Sequence, residues 1–327
     1  MIKVEQRAST VLYNWLTSNC KDYTFLIPAN VCPVVPLTFL KAGVEFVFVD
    51  IDPLTHAGSP AEYLHKLRQM SGNRGVLYVN AYGHYNETAG LYEDIKRISP
   101  DIPVIEDNCL CIPETGRCVP KNNVDLELYS SGYSKYVHLP LGGGYGIMED
   151  DVTYDEHIEA YDEEEDKKQH AQLRKCRIDM LPFVYTDSHW LIFQRTTLKD
   201  ISDNEYLAMV RAGITKSQKH KQCINLIYDN LIPDAIKMGS TFNNWRYQLL
   251  MPSVEMKREV LSSLERVNLF ASGHYASAAI LYKRQHLTNA EKEAKVIVNL
   301  FNEERYSESM ATETARVIKD IYNHHDK

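Results

Sequence analysis

The stretch Asp125–Gly146 reads DLELYSSGYSKYVHLPLGGGYG, and the fold turns on how it is interpreted. An apolar strand, marked by Leu126 and Leu128, hands the chain to a loop of small residues, Ser130, Ser131, Gly132 and Ser134. Backbone N–H groups and hydroxyls in such a loop can converge on an anion, a phosphate above all. A single lysine, Lys135, comes next, and then a glycine run at Gly142, Gly143 and Gly144. A lysine in a dry loop can lose its proton and attack a carbonyl carbon. The same residues also fit a strand, a turn and a hairpin with a surface lysine, because a short motif alone is weak evidence.

Pro103–Asn108, PVIEDN, narrows the choice. It is a short β-branched run that ends in two carboxylates. Open α/β sheets bind ligands beyond the carboxyl ends of their parallel strands, which is where Asp107 would be presented. A lysine, phosphate donors and a carboxylate together suit pyridoxal phosphate (PLP). That cofactor is an aldehyde with a phosphate, and its ring nitrogen needs an anion to stay protonated and withdraw electrons. The spacing from Asp107 to Lys135 leaves room for a crossover and one more strand. The plainer alternative for Glu106 and Asp107 is a solvated strand end or a helix cap.

These residues stand in an ordered series that resembles the DegT/StrS-type sugar aminotransferases, which are fold-type-I PLP enzymes. LIPANVCPVVPLTFLKAGVEFVFVDIDPLT (Leu26–Thr55) is similar to the family's strand, proline, helix and second strand ending in Asp. VNAYG (Val79–Gly83) is similar to its strand ending in Tyr-Gly, PVIEDN to the strand with the pyridinium aspartate, and SSGYSKYVHLPLGG (Ser130–Gly143) to its serine, lysine and paired glycines. GHY (Gly273–Tyr275) and the segment from Ala290 onward resemble its small domain. The likeness covers 24–150 and 240–322 and is poor over 151–239.

The resemblance implies an α/β fold: a mostly parallel sheet flanked by helices in a large PLP-binding domain, 1–232, and a smaller α+β C-terminal domain, 233–327. It implies that Lys135 holds PLP as a Schiff base and that Asp107 supports the ring nitrogen. Ser130, with Ala8 and Ser9 at a helix start, would hold the phosphate, since helix N-termini suit anions. Many members stack an aromatic residue on the ring where this chain has Cys32, so Tyr82 or His84 is left to supply stacking. A polar residue is frequent where this chain has Leu110. His274 and Tyr275 lie where the small domain approaches the substrate, and Arg246 is a candidate partner for a substrate anion. The implied substrates are an amino acid donor, glutamate, and a keto sugar on a nucleotide, in a ping-pong reaction. The implied assembly is a homodimer in which each site is completed by a second chain. The Asn-containing motif that reaches the partner's site has no clear counterpart in FVYTDSHWLIFQR (Phe183–Arg195). Two alternatives stay open: another PLP reaction on the same scaffold (lyase, decarboxylase or dehydratase), and a cofactor-free member acting as a binding or regulatory subunit.

Composition agrees with a globular protein with a substantial core. The 327 residues are 44% hydrophobic, enough for a large core and a second smaller one. The net charge of −8 and the lack of a basic stripe disfavour a nucleic-acid partner. Seven cysteines without a CxxC suggest neither a disulfide frame nor a zinc site, and fit reduced thiols in the cytoplasm. No apolar leader and no run of about 18 apolar residues suggest export or a membrane span.

Periodicity predicts a helix over 5–18, then alternation. TFLIP, FVFVD and GVLYVNAYG read as strands, separated by helices over Val34–Ala42, Pro60–Met70 and Glu87–Ser99. Such alternation implies a parallel sheet with right-handed crossovers. Residues 151–180 read as a charged helix with an acidic run at Asp162–Asp166. Its Arg174, Lys175 and Arg177 are either a solvated basic turn or a grip for a substrate phosphate. A connector helix is expected after Gly213, with a boundary at Pro233–Gly239. Beyond it come a strand in NWRYQLLMP, with Trp245 and Tyr247 in the core, and helices over Val254–Glu265 and Glu308–Tyr322.

Overall fold

A computed structural model describes residues 1–157, 163–179, 198, 200–273, 277–283 and 285–325. The main sheet has seven strands: β1 (Ile2–Glu5), β2 (Thr24–Pro28), β3 (Glu45–Val49), β4 (Arg74–Val79), β5 (Val104–Asp107), β6 (Leu126–Ser130) and β7 (Gly144–Met148). Their order is β1-β7-β6-β5-β4-β2-β3. The run from β3 to β6 is parallel, while β7 and β1 pair antiparallel at the far edge. The central strands β4, β5 and β6 are buried almost throughout. That explains why they read as continuous apolar runs rather than as alternation.

Helices α1 (Ala8–Asn19), α2 (Val34–Ala42), α3 (Pro60–Gln69) and α4 (Ala89–Ile98) cover the sheet. On one face Val11, Leu12, Trp15, Leu16 and Phe39 pack with Phe25, Ile27, Leu77, Ile105 and Leu128. On the other, Tyr63, Leu67, Tyr92 and Ile95 pack with Leu26, Val76, Tyr78 and Val104. The predicted helix over 5–18 starts later, because residues 2–5 form β1. Four alternating residues are too few to signal a strand, and β1 gains its place by pairing with β7, Glu5 opposite Gly144.

The charged segment forms α5 (Glu163–Asp179), where Arg174 and Lys175 are exposed; the side chain of Arg177 lies outside the described residues. The long helix α6 (Asp203–Leu231) begins well before Gly213. It opens with a capping box in which Ser202 and Glu205 bond each other's backbone. Gly213 is therefore inside a helix. A Cβ there would sit 2.5 Å from Val137 Cγ1, so the glycine permits close packing rather than a break.

A second sheet, β8 (Tyr247–Leu250), β9 (Ala271–Ser272) and β10 (Ile297–Leu300), is antiparallel in the order β8-β10-β9. The sequence reading found only the first of these strands. The helices α7 (Val254–Arg266) and α10 (Glu308–His325) pack on it, joined by Ile224 and Tyr228 of α6. Packing crosses residue 232 in both directions. Tyr206 and Val210 at the start of α6 pack with Tyr145 and Ile147 of β7. The short helices α8 (Ala278–Lys283) and α9 (Thr288–Val296) return to the first body, where Ala278, Ala279, Leu287 and Ala290 join the core of the large sheet. Among the described residues no helix is long and apolar enough to cross a membrane, and no cluster of side chains could hold a metal ion. None of the seven cysteines, all of them among the described residues, forms a disulfide.

Candidate active site

Strand register gathers the site. Val79 at the end of β4 pairs with Asp107 at the end of β5, and Asp107 pairs with Leu128 of β6. All three border one cavity of about 800 Å³ at the carboxyl edge of the parallel strands. The size falls in the range of small-molecule sites, roughly 300–1,000 Å³. The same cavity is lined by Lys135, Ser130, Ala8, Ser9, Cys32 and Tyr82. Apart from His84, every residue proposed above to touch a cofactor thus borders a single space, although they come from five separate stretches of chain.

Each is placed by a local cause. Asp107 is 6% exposed and its Oδ1 accepts from the Cys109 N–H at 2.9 Å, which turns the carboxylate at the strand end. Its neighbour Glu106 points to the other side of the sheet. There it is fully buried and satisfied by Tyr92 at 2.9 Å, Asn108 at 3.0 Å and the ammonium of Lys121 at 2.6 Å. The two adjacent carboxylates therefore differ in role: one is consumed by structure and the other faces the cavity. The Cys109 thiol reports on the same spot. Burial and then Asp107 push its pKa well up, while Lys135 pulls it down, so thiol, carboxylate and amine lie within electrostatic reach of one another.

The loop from Ser131 to Gly143 is tied at its neck. The Ser131 N–H donates to Gly143 O at 3.0 Å, Leu139 N–H to Ser131 O at 2.9 Å, and Ser131 Oγ pairs with the Tyr206 hydroxyl at 2.6 Å. Gly142 and Gly143 adopt left-handed φ values of 72° and 110°. At Gly143 a Cβ would come within 2.5 Å of the Tyr206 ring. Beside this neck, where Gln6 Nε2 donates to Leu141 O at 3.0 Å, α1 starts at Ala8 with no side-chain cap and no acidic residue in its first turn. Such a start is disposed to receive an anion.

Tyr82 is held with left-handed φ, 56°, a costly conformation for a bulky side chain. Its hydroxyl donates to Glu293 Oε1 at 2.5 Å, and the other oxygen of Glu293 pairs with His56, so α9 fixes the ring that borders the cavity. His84, the other stacking candidate, packs against Phe242 at 4.8 Å and does not border the cavity; burial lowers its pKa. Leu110 is at the cavity wall.

Arg246 is brought to the site's edge but not into the cavity. It donates to Ser134 Oγ and to Ser272 Oγ at 3.0 Å, and pairs with Glu303 at 3.7 Å. Its guanidinium lies over the ring of Trp245, 4.6 Å from the centroid, and over that of Phe301, at 4.1 Å. His274, Tyr275 and the Phe183–Arg195 stretch fall outside the described residues. Sequence reasoning passed over Gln6, Asn30, Tyr133 and His138, which also line the cavity. Asn30 had a signal, since it follows the strand-ending Pro28; Tyr133 and His138 flank Lys135 and carried none beyond proximity.

No family model and no curated protein matches the chain. Solved structures do. TlmJ, an aminotransferase from Streptoalloteichus hindustanus, superposes with a TM-score of 0.70 at 14% identity, over 100% of this chain and 87% of that one. DesI, solved in the presence of its TDP-sugar product, gives 0.70 at 12% identity over 100% and 83%. PseC of Helicobacter pylori, an aminotransferase involved in the biosynthesis of pseudoaminic acid, gives 0.66 at 15% identity over 99% and 87%. At these identities the likeness establishes the fold, which is the α/β fold of those enzymes.

Proposed function

We propose that the protein is a PLP-dependent aminotransferase that carries an amino group from an amino acid to a keto sugar. The observation that supports this most is the single cavity that collects the Lys135 amine, the Asp107 carboxylate, Ser130 and the start of α1 at Ala8 and Ser9. The Lys135 amine, the Asp107 carboxylate, and Ser130 with the first turn of α1 match what PLP offers: an aldehyde, a ring nitrogen and a phosphate. Bound there, PLP supplies an electron sink for the charge left on a substrate carbon when its proton departs.

The chain's own residues do the rest. Lys135 would hold the cofactor through its Nζ and would give up that place to the amino group of the donor. Its freed Nζ would then carry the proton, first as base and then as acid. Asp107, buried at the strand end, would hold the proton of the ring nitrogen. Ser130 and the first N–H groups of α1, at Ala8 and Ser9, would hold the phosphate. Cys32 and Tyr82 would bound the ring, with Tyr82 braced by Glu293. His274 and Tyr275 are proposed to face the sugar. We take glutamate as the donor and a nucleotide-linked sugar as the acceptor; the TDP-sugar of the structurally similar DesI supports the nucleotide. A cytoplasmic homodimer is part of the same proposal, supported by the resemblance.

Absorbance before and after borohydride, followed by peptide mapping, tests this reading. The expected result is a yellow protein whose reduced adduct maps to Lys135 and whose colour shifts on adding an amino donor. A protein that stays colourless with added PLP would refute it. A coloured protein whose spectrum no amino donor shifts would exclude transamination.

A further inference from the structure

The cofactor reading names Lys135 but does not say what aims it. Lys135 borders two spaces: the main cavity, and a small one of about 80 Å³ walled by Lys221, Asn302, Glu303 and Arg305. Its side chain therefore has two directions available. The residue before it, Ser134, has a left-handed φ of 59°, which a residue with a Cβ rarely adopts. Rotating Ser134 to an ordinary extended conformation would swing the following Cα–Cβ bond, so the conformation of Ser134 sets the direction of the amine.

Ser134 is gripped from the C-terminal half of the chain. The Trp245 indole N–H donates to Ser134 O at 2.7 Å. Ser134 Oγ donates to Glu303 Oε1 at 2.8 Å and accepts from Arg246 Nη2. Arg246 and Glu303 pair with each other, both nearly buried. Lys221 of α6 fixes the same frame, donating to Trp245 O and to Asn302 Oδ1, each at 2.7 Å. A buried arginine–carboxylate pair is costly to desolvate, and removing one partner alone is strongly destabilising. Here it encloses one hydroxyl, on the residue that precedes the amine.

We propose that Arg246 and Glu303 are positioning residues: through Ser134 they hold the loop so that Lys135 points into the large cavity before any cofactor arrives. This rests on the reading of Lys135 as the cofactor-binding amine, and it assigns Arg246 to the loop rather than to a substrate anion.

Ser134→Gly is the sharpest probe. It removes the gripped hydroxyl, accepts the left-handed φ without strain and leaves no buried charge unpaired. Arg246→Met is the second probe, made singly and with Ser134→Gly. Two measurements are made: amide hydrogen exchange over 131–136 in cofactor-free protein, and the rate at which added PLP becomes borohydride-trappable at Lys135. Each single variant is expected to speed exchange and slow capture by about tenfold, the scale of one lost charge-assisted hydrogen bond. The double variant should be no slower than the worse single one, because both act through one contact. Capture within twofold of the parent in Ser134→Gly, or effects that multiply in the double variant, would overturn the proposal. If the parent captures no PLP at all, the cofactor reading fails instead. Exchange in the cofactor-free protein then decides the clamp alone, and unchanged exchange in Ser134→Gly would refute it.

Discussion

Gly144→Ala tests whether the start of α1 holds the cofactor's phosphate. Gly144 opens β7 opposite Glu5 of β1, and the chain turns into α1 three residues later. A Cβ on Gly144 would stand 2.3 Å from Ala8 N, 2.7 Å from Ala8 Cα and 2.8 Å from Ala8 Cβ. The nearest atoms are backbone, so no side chain can swing aside. Ordinary contact begins near 3.4 Å, so the helix start must retreat by about 1 Å. Overpacking of this kind costs about 1–3 kcal/mol of stability. The retreat also moves the Ala8 N–H, and a hydrogen bond to an anion is worth about 1.5–3 kcal/mol. Weakening it should raise the Kd for PLP by roughly 10- to 100-fold.

The assay pairs urea unfolding of cofactor-free protein with a PLP titration followed by absorbance. Gly90→Ala is the control, since a Cβ there meets nothing within 4 Å. The expected result is a lower unfolding midpoint and much weaker PLP binding in Gly144→Ala, with neither change in Gly90→Ala. A destabilised Gly144→Ala protein that still binds PLP within twofold would show that α1 moves without consequence for the cofactor. The phosphate role of Ala8 and Ser9 would then be wrong.

Lys135→Ala should lose turnover by at least about 10²-fold, the scale of a positioned acid–base group; steady-state kinetics that match the parent would refute its role. Asp107→Asn should keep the fold, because the amide oxygen can still accept from Cys109 N–H, yet slow the conversion of bound PLP by an amino donor, seen in single-turnover absorbance. Lys221 gives a pH signature: burial lowers its pKa to about 7 from the ordinary 10.5. Between those values the unfolded chain holds a proton that the native state lacks, so stability rises with pH there, by up to about 1.4 kcal/mol per pH unit. Urea midpoints from pH 6.5 to about 9 should climb in the parent and stay flatter in Lys221→Met; parallel curves would contradict the buried neutral amine. Gly213→Ala should destabilise the protein despite alanine's better helix propensity, worth about 1 kcal/mol. Its Cβ would meet Val137 Cγ1 at 2.5 Å, and a raised Tm would show that α6 has room to shift.

The parallel strands were legible because their signal is local. TFLIP and PVIEDN are apolar runs buried almost throughout, FVFVD is an apolar run at the sheet edge with Val47 exposed, and parallel strands must end at one edge, so Asp107 and Ser130 could be placed together from the sequence. Glycine misled for a physical reason. Gly144 and Gly213 read as loop and break, since a missing side chain loosens the backbone. In the fold each is a point where another segment comes too close for a Cβ, Ala8 in one case and Val137 in the other. Which meaning applies depends on a neighbour distant in sequence, and no local pattern carries it. Arg246 shows the same limit for charge. Its residue type points to an anion, and the anion it meets is Glu303. The role proposed for Lys135 combines both cases: its chemistry is read from its own loop, while the residue before it, Ser134, is held by Trp245 and Glu303, more than a hundred positions away. Changes at Trp245, Arg246 and Glu303 should therefore alter the behaviour of Lys135 as much as changes to the serines beside it.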